Sequence, residues 1–505
     1  MPRLQQLANR LSLPIETDLT GYQPSSTFIR QFPIGYVREH QIIAFQAVGD
    51  PIIRLAISDE KAWPQLDIVA RKLRHSVRPL LAEPEQIRLA INAAYSVREG
   101  EAEQVLESIG AESFADQLTL IASREDLLDV DGRAPIIRLV NQLIFDAVVA
   151  GASDIHIQPY EGCVKVRQRI DGVLFDSFEV PKSIQEEVLT RIKVLGKMNI
   201  AEKRLPQDGR ATVQLGDRVI DLRIASLPTS HNERIVIRLL DKSARLYTLN
   251  ELGMPPTTLK LWQSLIRVDH GLILVTGPTG SGKSTTLYGA LQEINSKEAN
   301  ILTLEDPIEY QLDGISQTQI NEKKGMTFAS GMRNLLRQDP DIIMVGEIRD
   351  RETANMAIQA SLTGHLVFST LHTNDAASAI TRLLDLGVEP YLIASSLVAS
   401  LAQRLVRQLC PSCKMVLPDG TAKPVGCDKC RRSGFRGRIG LFELLVTNDQ
   451  IRTLMQSREN ATVIRQAAVE LGMTLLADDG QTKIKQGRTT LEEVLRVTSL
   501  QAVVG

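Results

Sequence analysis

This sequence lacks most of the features that place a chain in a special class. Lysine and arginine number 58 against 60 aspartates and glutamates, for a formal net charge of -2. A global electrostatic attraction to DNA, RNA or anionic lipid is therefore absent, and only local patches remain. Long hydrophobic runs are missing too. The longest uncharged, apolar-leaning stretch, PYLIASSLVASLAQ (390–403), stops short of the roughly 18 residues that a membrane span needs. The opening MPRLQQLANRLSLP has no continuous apolar block and no small-residue cleavage site, so no secretory signal is expected. Aromatics make up only 4 %, and no cluster interleaves them with basic side chains as single-strand binding requires. Tandem repeats and low-complexity tracts are absent as well. A cytosolic location is expected, with any membrane contact made through a partner or a surface patch.

At 505 residues the chain exceeds what one hydrophobic core organises, so two to four domains are expected. An apolar share of 43 % with 23 % charged residues fits a globular protein. Residues 1–100 alternate strand-like runs such as IIRLAIS (52–58) with helical periodicity such as EPEQIRLAINAAY (83–95), the pattern of a small α/β module. Residues 101–130 are rich in Glu, Ala, Ser and Asp, so a linker is expected there. A second module, 131–248, opens with helix-like PIIRLVNQLIFDAVVAG (135–151) and continues in alternating strands. Asp171 and Gly172 separate two of these as a hairpin turn. From 249 to 505 the rhythm becomes strand, loop, helix. LILVTG, ILTLED, DIIMVGEI and HLVFSTL are near-continuous apolar runs, which implies a mostly parallel sheet covered on both faces.

The most specific motif lies in this third region. GPTGSGKSTT (277–286) matches G-x-x-x-x-G-K-[ST], with a strand-like run before it and a helical segment after it. Gly277, Pro278, Thr279, Gly280, Ser281 and Gly282 form a loop whose amides turn inward. Lys283, Ser284 and Thr285 open a helix whose N-terminus adds about half a positive charge. Lys283 can reach the β/γ-phosphates and Ser284 can ligate Mg²⁺. No N-K-x-D motif for guanine is present, so ATP is preferred over GTP. Acids follow where α/β sheets place ligand groups. Glu305, Asp306 and Glu309 stand in LEDPIEY, and Glu347 ends DIIMVGEI, suited to holding Mg²⁺ directly or through water. His365 and His372 flank the run LVFSTL. His372 stands beside Thr370 and Thr373 as a candidate γ-phosphate sensor, with His365 a second candidate.

Four of the five cysteines cluster as Cys410-Pro-Ser-Cys413 and Cys427-Asp-Lys-Cys430. In a reducing compartment that spacing reads as a closed structural Zn²⁺ site within 405–435, not as disulfides. Cys163 reads as filler, and the arginines of CRRSGFRGRIG (430–440) as a solvated face.

The four blocks GPTGSGKST, ILTLEDPIEY, DPDIIMVGEIRD and HLVFSTLHTNDA resemble the Walker A, aspartate box, Walker B and histidine box of the type II secretion and type IV pilus ATPases. The resemblance extends through ASDIHIQPY, EKRLPQDGR, QRLVRQLCPSC and GFRGRIGLFELL. It covers about 130–505 specifically and 1–100 more loosely. It implies an α/β protein with a small N-terminal docking module, a PAS-like α+β second domain and a RecA-like ATPase domain carrying the cysteine segment. It implies Glu309 as general base, Glu347 at Mg²⁺ and Glu305 in the same catalytic box. It also implies that Arg210 and Arg223, with Arg238 behind them, reach the phosphates when the second domain closes. The partners it implies are other copies of the chain in a hexameric ring and the cytoplasmic domain of an inner-membrane platform protein. That partner would bind the N-terminal module and hold the ring at the membrane. The loop between the cysteine pairs is shorter than in many family members, which puts in doubt any contact made through a longer one. The activity implied is ATP hydrolysis driving pseudopilus assembly and protein export. Pilus extension is the alternative, and a nucleic-acid translocase or a non-hydrolysing nucleotide switch are more distant ones.

Overall fold

Alternating burial marks strands between 163 and 241, and unbroken apolar strands mark the region from 271 to 371. The computed structural model describes residues 135–498 except 216–217 and 242–246, residues 21–96 except 33 and 47–51, Glu125–Asp126, and scattered positions before residue 21. The chain divides into two compact units, Met1–Ser243 and Ala244–Gly505. Apart from Glu125–Asp126, the linker expected at 101–130 lies outside the described residues.

The first unit holds two sheets, each with its own core. The N-terminal sheet runs Ile15–Glu16, Ser76–Ala82, Ile52–Ile57, Ile43–Phe45, parallel except for the last pair. Phe28, Phe32, Ile53, Leu55, Val69 and Ile87 are buried in its core. Helix Trp63–Leu73 carries Pro64 in its first turn, where no amide hydrogen is needed, and stops at Arg74 in the left-handed conformation.

The second sheet has seven strands, in the order Glu125–Asp126, Gln207–Leu215, Arg218–Thr229, Asn232–Asp241, Ala152–Pro159, Cys163–Ile170, Val173–Pro181. All pairs are antiparallel except the first. Asp171 and Gly172 take φ of 49° and 85°, closing the hairpin that pairs Ile170 with Val173. Ile155, Val166, Leu222 and Ile237 face one side and share a core with helices Pro135–Val149 and Gln185–Leu195. The opposite face carries Asp208, Arg210, Asp221, Arg223, Arg234 and Arg238.

The sheet of the second unit also has seven strands: Ser316–Gln319, Ile301–Glu305, Ile342–Val345, Leu366–Leu371, Gly271–Thr276, Leu397–Leu409, Phe435–Val446. The first six are parallel and the last is antiparallel. Gly271–Thr276, Ile342–Val345 and Leu366–Leu371 are buried at every position, as strands covered on both faces must be. Asp350 and Asp375 cap helices Arg351–Leu362 and Ala376–Asp385, accepting from Thr353 N at 2.8 Å and Ser378 N at 2.7 Å. The uncharged stretch 390–403 splits into helix Pro390–Ser396 and the start of strand Leu397–Leu409. Among the described residues no helix is long and apolar enough to cross a membrane.

Candidate nucleotide site

Parallel order brings the C-terminal ends of Gly271–Thr276, Ile301–Glu305, Ile342–Val345 and Leu366–Leu371 to one edge of the sheet, where ligands of α/β proteins gather. The phosphate loop leaves Gly271–Thr276 and enters helix Lys283–Ile294. Three glycines shape it through positive φ: 152° at Gly277, 77° at Gly280 and 89° at Gly282. A Cβ on Gly277 would stand 2.5 Å from both Gln403 O and Ser281 Oγ, so only glycine fits there. Pro278, Thr279 and Gly280 are exposed at the crest, and Ser284 and Thr285 are half-buried at the helix start.

Lys283 folds back on the loop. Its Nζ donates to Gly277 O at 2.8 Å and Pro278 O at 3.1 Å. Burial pushes its ammonium down to about 8, helped by Arg404 and opposed by Glu347 and Glu309. Those two acids therefore lie in the field of this lysine. Glu347 Oε2 stands 3.4 Å from His372 Nε2, and its Oε1 accepts from Arg349. His372 is held below its ordinary range by burial first and Lys283 second, while Glu347 pulls the other way. The loop after His372 is tied back to the phosphate strand, since Thr276 Oγ1 lies 2.6 Å from Thr373 Oγ1 and accepts from Thr373 N at 3.0 Å. Lys283, Glu347 and His372 thus form one cluster.

Two sequence candidates take other places. His365 stands at the N-terminal end of strand Leu366–Leu371, and His372 follows its C-terminal end. Six residues of strand separate the two edges by roughly 20 Å. His365 Nδ1 bonds Ala360 O at 2.9 Å, closing the turn after helix Arg351–Leu362 instead of joining the cluster. Glu305 is buried and engaged on both oxygens. It accepts from Thr303 Oγ1 at 2.5 Å, Gln317 Nε2 at 3.0 Å and the hydroxyl of Tyr288. That hydroxyl also accepts from Glu309 N at 3.3 Å. Glu305 therefore fixes Tyr288, and through it the backbone of Glu309, instead of facing the loop itself. Asp306 is exposed beside it.

Sequence reasoning missed the floor of the site. Gln403 is buried, accepts from Thr286 Oγ1 at 2.7 Å and lies against Gly277 and Gly282. Arg404 donates to Asn374 O at 2.9 Å, and burial lowers its guanidinium from its usual range. Glu443, fully buried, accepts from Ala376 N at 2.9 Å at the helix that follows the His372 loop, and burial pushes its carboxyl up to about 7. Consecutive polar residues inside the apolar run LVASLAQRLV were the available signal for the first two.

Arg210, Arg223 and Arg238 belong to the first unit. Antiparallel register sets Arg210 opposite Arg223 and Arg223 opposite Arg238, a row across three strands on the face away from the helices. Arg238 Nε donates to Asp154 Oδ1 at 3.0 Å in the next strand.

The cysteines converge where the hairpin of Leu397–Leu409 and Phe435–Val446 opens. The four sulfurs lie within 4.8 Å of one another. Cys410–Cys427, Cys413–Cys430 and Cys427–Cys430 stand at 4.0, 3.7 and 3.7 Å. Four thiolates about 2.3 Å from one ion would stand about 3.8 Å apart, so the donor set fits a tetrahedral metal site and is too wide for disulfides. The thiols titrate together: against burial, the amides of Cys427 and Gly434 and the neighbouring sulfurs lower Cys430, while burial and the neighbouring sulfurs raise Cys413. Cys163 lies elsewhere, half-buried at the start of strand Cys163–Ile170.

A glycine loop, a buried lysine and acid-bearing strand ends on one edge of a mostly parallel sheet define a RecA-like P-loop nucleotide hydrolase. The family model for type II/IV secretion system proteins matches residues 129–496, and that of the MshEN domain matches 11–101. The chain belongs to the type II/IV secretion system protein family. It is 47 % identical over 446 residues to the type II secretion system ATPase E of Vibrio cholerae serotype O1, covering 85 % of this chain and 88 % of that protein. It is 50 % identical over 415 residues to the type II secretion system protein HxcR of Pseudomonas aeruginosa, with coverage of 82 % and 88 %. Among solved structures, the pilus retraction motor PilT with bound ADP aligns at a TM-score of 0.50 and 28 % identity, over 70 % of this chain and 96 % of PilT. The Legionella pneumophila ATPase DotB aligns at 0.55 and 23 %, over 76 % and 100 %, and shares the fold.

Proposed function

We propose that this chain is the ATPase of a type II secretion system, hydrolysing ATP to drive pseudopilus assembly and protein export. The observation that carries this reading is the cluster of Lys283, Glu347 and His372 at the mouth of the phosphate loop. Loop and ligand fit on two counts. Ser281 Oγ is buried without a hydrogen-bond partner, and the approach to Gly277 leaves no room for a side chain. The loop amides with Lys283 would hold the phosphates of ATP, and Ser284 with Glu347 would hold Mg²⁺, which neutralises charge on the transferred phosphoryl. Glu309 accepts the proton of the attacking water, His372 senses the γ-phosphate, and Arg210 and Arg223 complete the charge balance as the second domain closes. The sulfur spacings support Zn²⁺ among Cys410, Cys413, Cys427 and Cys430.

Domain roles follow the same reading. Residues 1–100 dock the cytoplasmic domain of an inner-membrane platform protein, 131–248 carry the arginines, and 249–505 carry the hydrolase. Six copies form a ring in the cytoplasm, held at the inner membrane through partners.

Phosphate release by the purified chain with Mg²⁺ and ATP, together with restored export in a strain lacking its own secretion ATPase, tests the function. Restored pilus extension without export would assign the alternative motor role. Chelation should melt residues 405–435 before the nucleotide core, read by hydrogen exchange. Simultaneous melting of both would remove the structural metal.

A further inference from the structure

The second sheet hides a pair of charges in its apolar layer. Lys193, on helix Gln185–Leu195, and Glu233, in strand Asn232–Asp241, are each about 2 % exposed. They lie on the helix-covered face, in the layer that holds Leu189, Ile192, Ile224 and Ile235. Replacing such a pair with apolar residues of similar volume is often neutral or stabilising, so its presence needs a reason other than stability.

The hydrogen bonds supply one. An ammonium has three protons, and here all three are used. Two go to Glu233, at 2.9 Å and 3.0 Å, and one leaves the pair for Glu202 O at 2.6 Å. Glu233 is held in turn by Ser226 Oγ at 2.8 Å. Glu202 O accepts a second bond, 2.8 Å from Gln207 Nε2, and Gln207 opens the strand that carries Arg210. Gln207 also exchanges bonds with the backbone of Asn199, at 2.8 Å and 3.0 Å. The far end of the segment is clamped as well. Arg210 N donates to Gly196 O at 3.2 Å, and a Cβ on Gly209 would stand 2.4 Å from that same oxygen. Residues 196–206 thus form a loop closed onto the end of one helix, and the strand that follows it carries Arg210, exposed.

We infer that the buried Lys193–Glu233 pair is a positioning device for Arg210, acting through Glu202 and Gln207. The inference rests on the reading that Arg210 reaches the phosphates. Arg223 stands opposite Arg210 in the neighbouring strand, which also carries Ser226, so the Arg210 background alone is diagnostic.

The test uses the full-length chain. Lys193→Met alone leaves Glu233 buried and unpaired, so the pair is removed together as Lys193→Met/Glu233→Leu. The expected double variant melts close to the parent and binds ATP as the parent does, yet its kcat falls about ten- to a hundred-fold. Added to Arg210→Ala it causes no further loss. Gln207→Ala, which leaves the buried pair intact, should give the same kcat loss at unchanged ATP affinity. Parental kcat in both the double variant and Gln207→Ala overturns the inference, as does a full additional loss on the Arg210→Ala background. If Arg210→Ala itself keeps parental kcat, the reading beneath the inference fails and takes the inference with it. Loss in Arg210→Ala without loss in the pair or Gln207 variants sinks the inference alone.

Discussion

Two sheets of seven strands stand in the two units of this protein, and they solve opposite problems. The sheet of the second unit is mostly parallel, and its central strands are buried at every position. Its faces are therefore closed, and chemistry can occur only along the edge where strands end. The seven-stranded sheet of the first unit is antiparallel in all but one pair and alternates, so helices cover one face while the other carries a row of arginines. One sheet presents an edge suited to a ligand, and the other presents a face. The lesson is that binding and turnover should separate by sheet.

Substitutions at the edge should have the largest effect. Lys283→Ala removes the charge that balances the β/γ-phosphates, so ATP binding should weaken at least about a hundred-fold and hydrolysis vanish with it. Binding at parental affinity, measured by titration calorimetry, would break the comparison at its stronger end. On the arginine-bearing face, Arg210→Ala should lower kcat by about a thousand-fold while ATP affinity changes less than about two-fold. A matched fall in affinity would place that arginine in ground-state binding and erase the contrast.

The two histidines sharpen the comparison within one strand. His372→Ala should lower kcat by about ten-fold or more, within the range of a group beside the reacting phosphate. His365→Ala, at the other edge, should leave kcat within about two-fold and lower only the melting temperature. Equal kinetic loss from both would show that sheet edge is not what matters.

A pH dependence tests the same lysine without a substitution. Burial lowers Lys283 to about 8 from its usual 10.5. Between those values the unfolded chain binds the extra proton, so this group makes the fold more stable as pH rises. Nucleotide binding has the opposite sign, because phosphates favour the charged lysine. ATP affinity should therefore fall roughly ten-fold from pH 7 to pH 9, with proton uptake on binding. An unchanged affinity across that range would detach Lys283 from the phosphates.

Local patterns were the legible part of this molecule. The strand–loop–helix at 271–294, the Asp171-Gly172 turn and the paired cysteines each sit where spacing placed them. Each depends on neighbours a few residues apart, or on one residue type with one geometry. His365 and His372 flank one strand symmetrically in the sequence, and only its length and direction send them to different edges. Glu305 and Glu309 look alike as loop acids, yet Tyr288, from a different helix, binds the Glu305 side chain and the Glu309 backbone.

By itself the sequence determined the chemistry on offer: a glycine loop with its lysine, four thiols at metal spacing, and strands sorted by periodicity into open and closed sheets. Only the tertiary structure decided which of those groups meet. Register lined up Arg210, Arg223 and Arg238, and packing joined Lys193 to Glu233 across 40 residues. Side-chain chemistry is written one residue at a time, whereas proximity between distant residues arises only when strands pair and helices cover them.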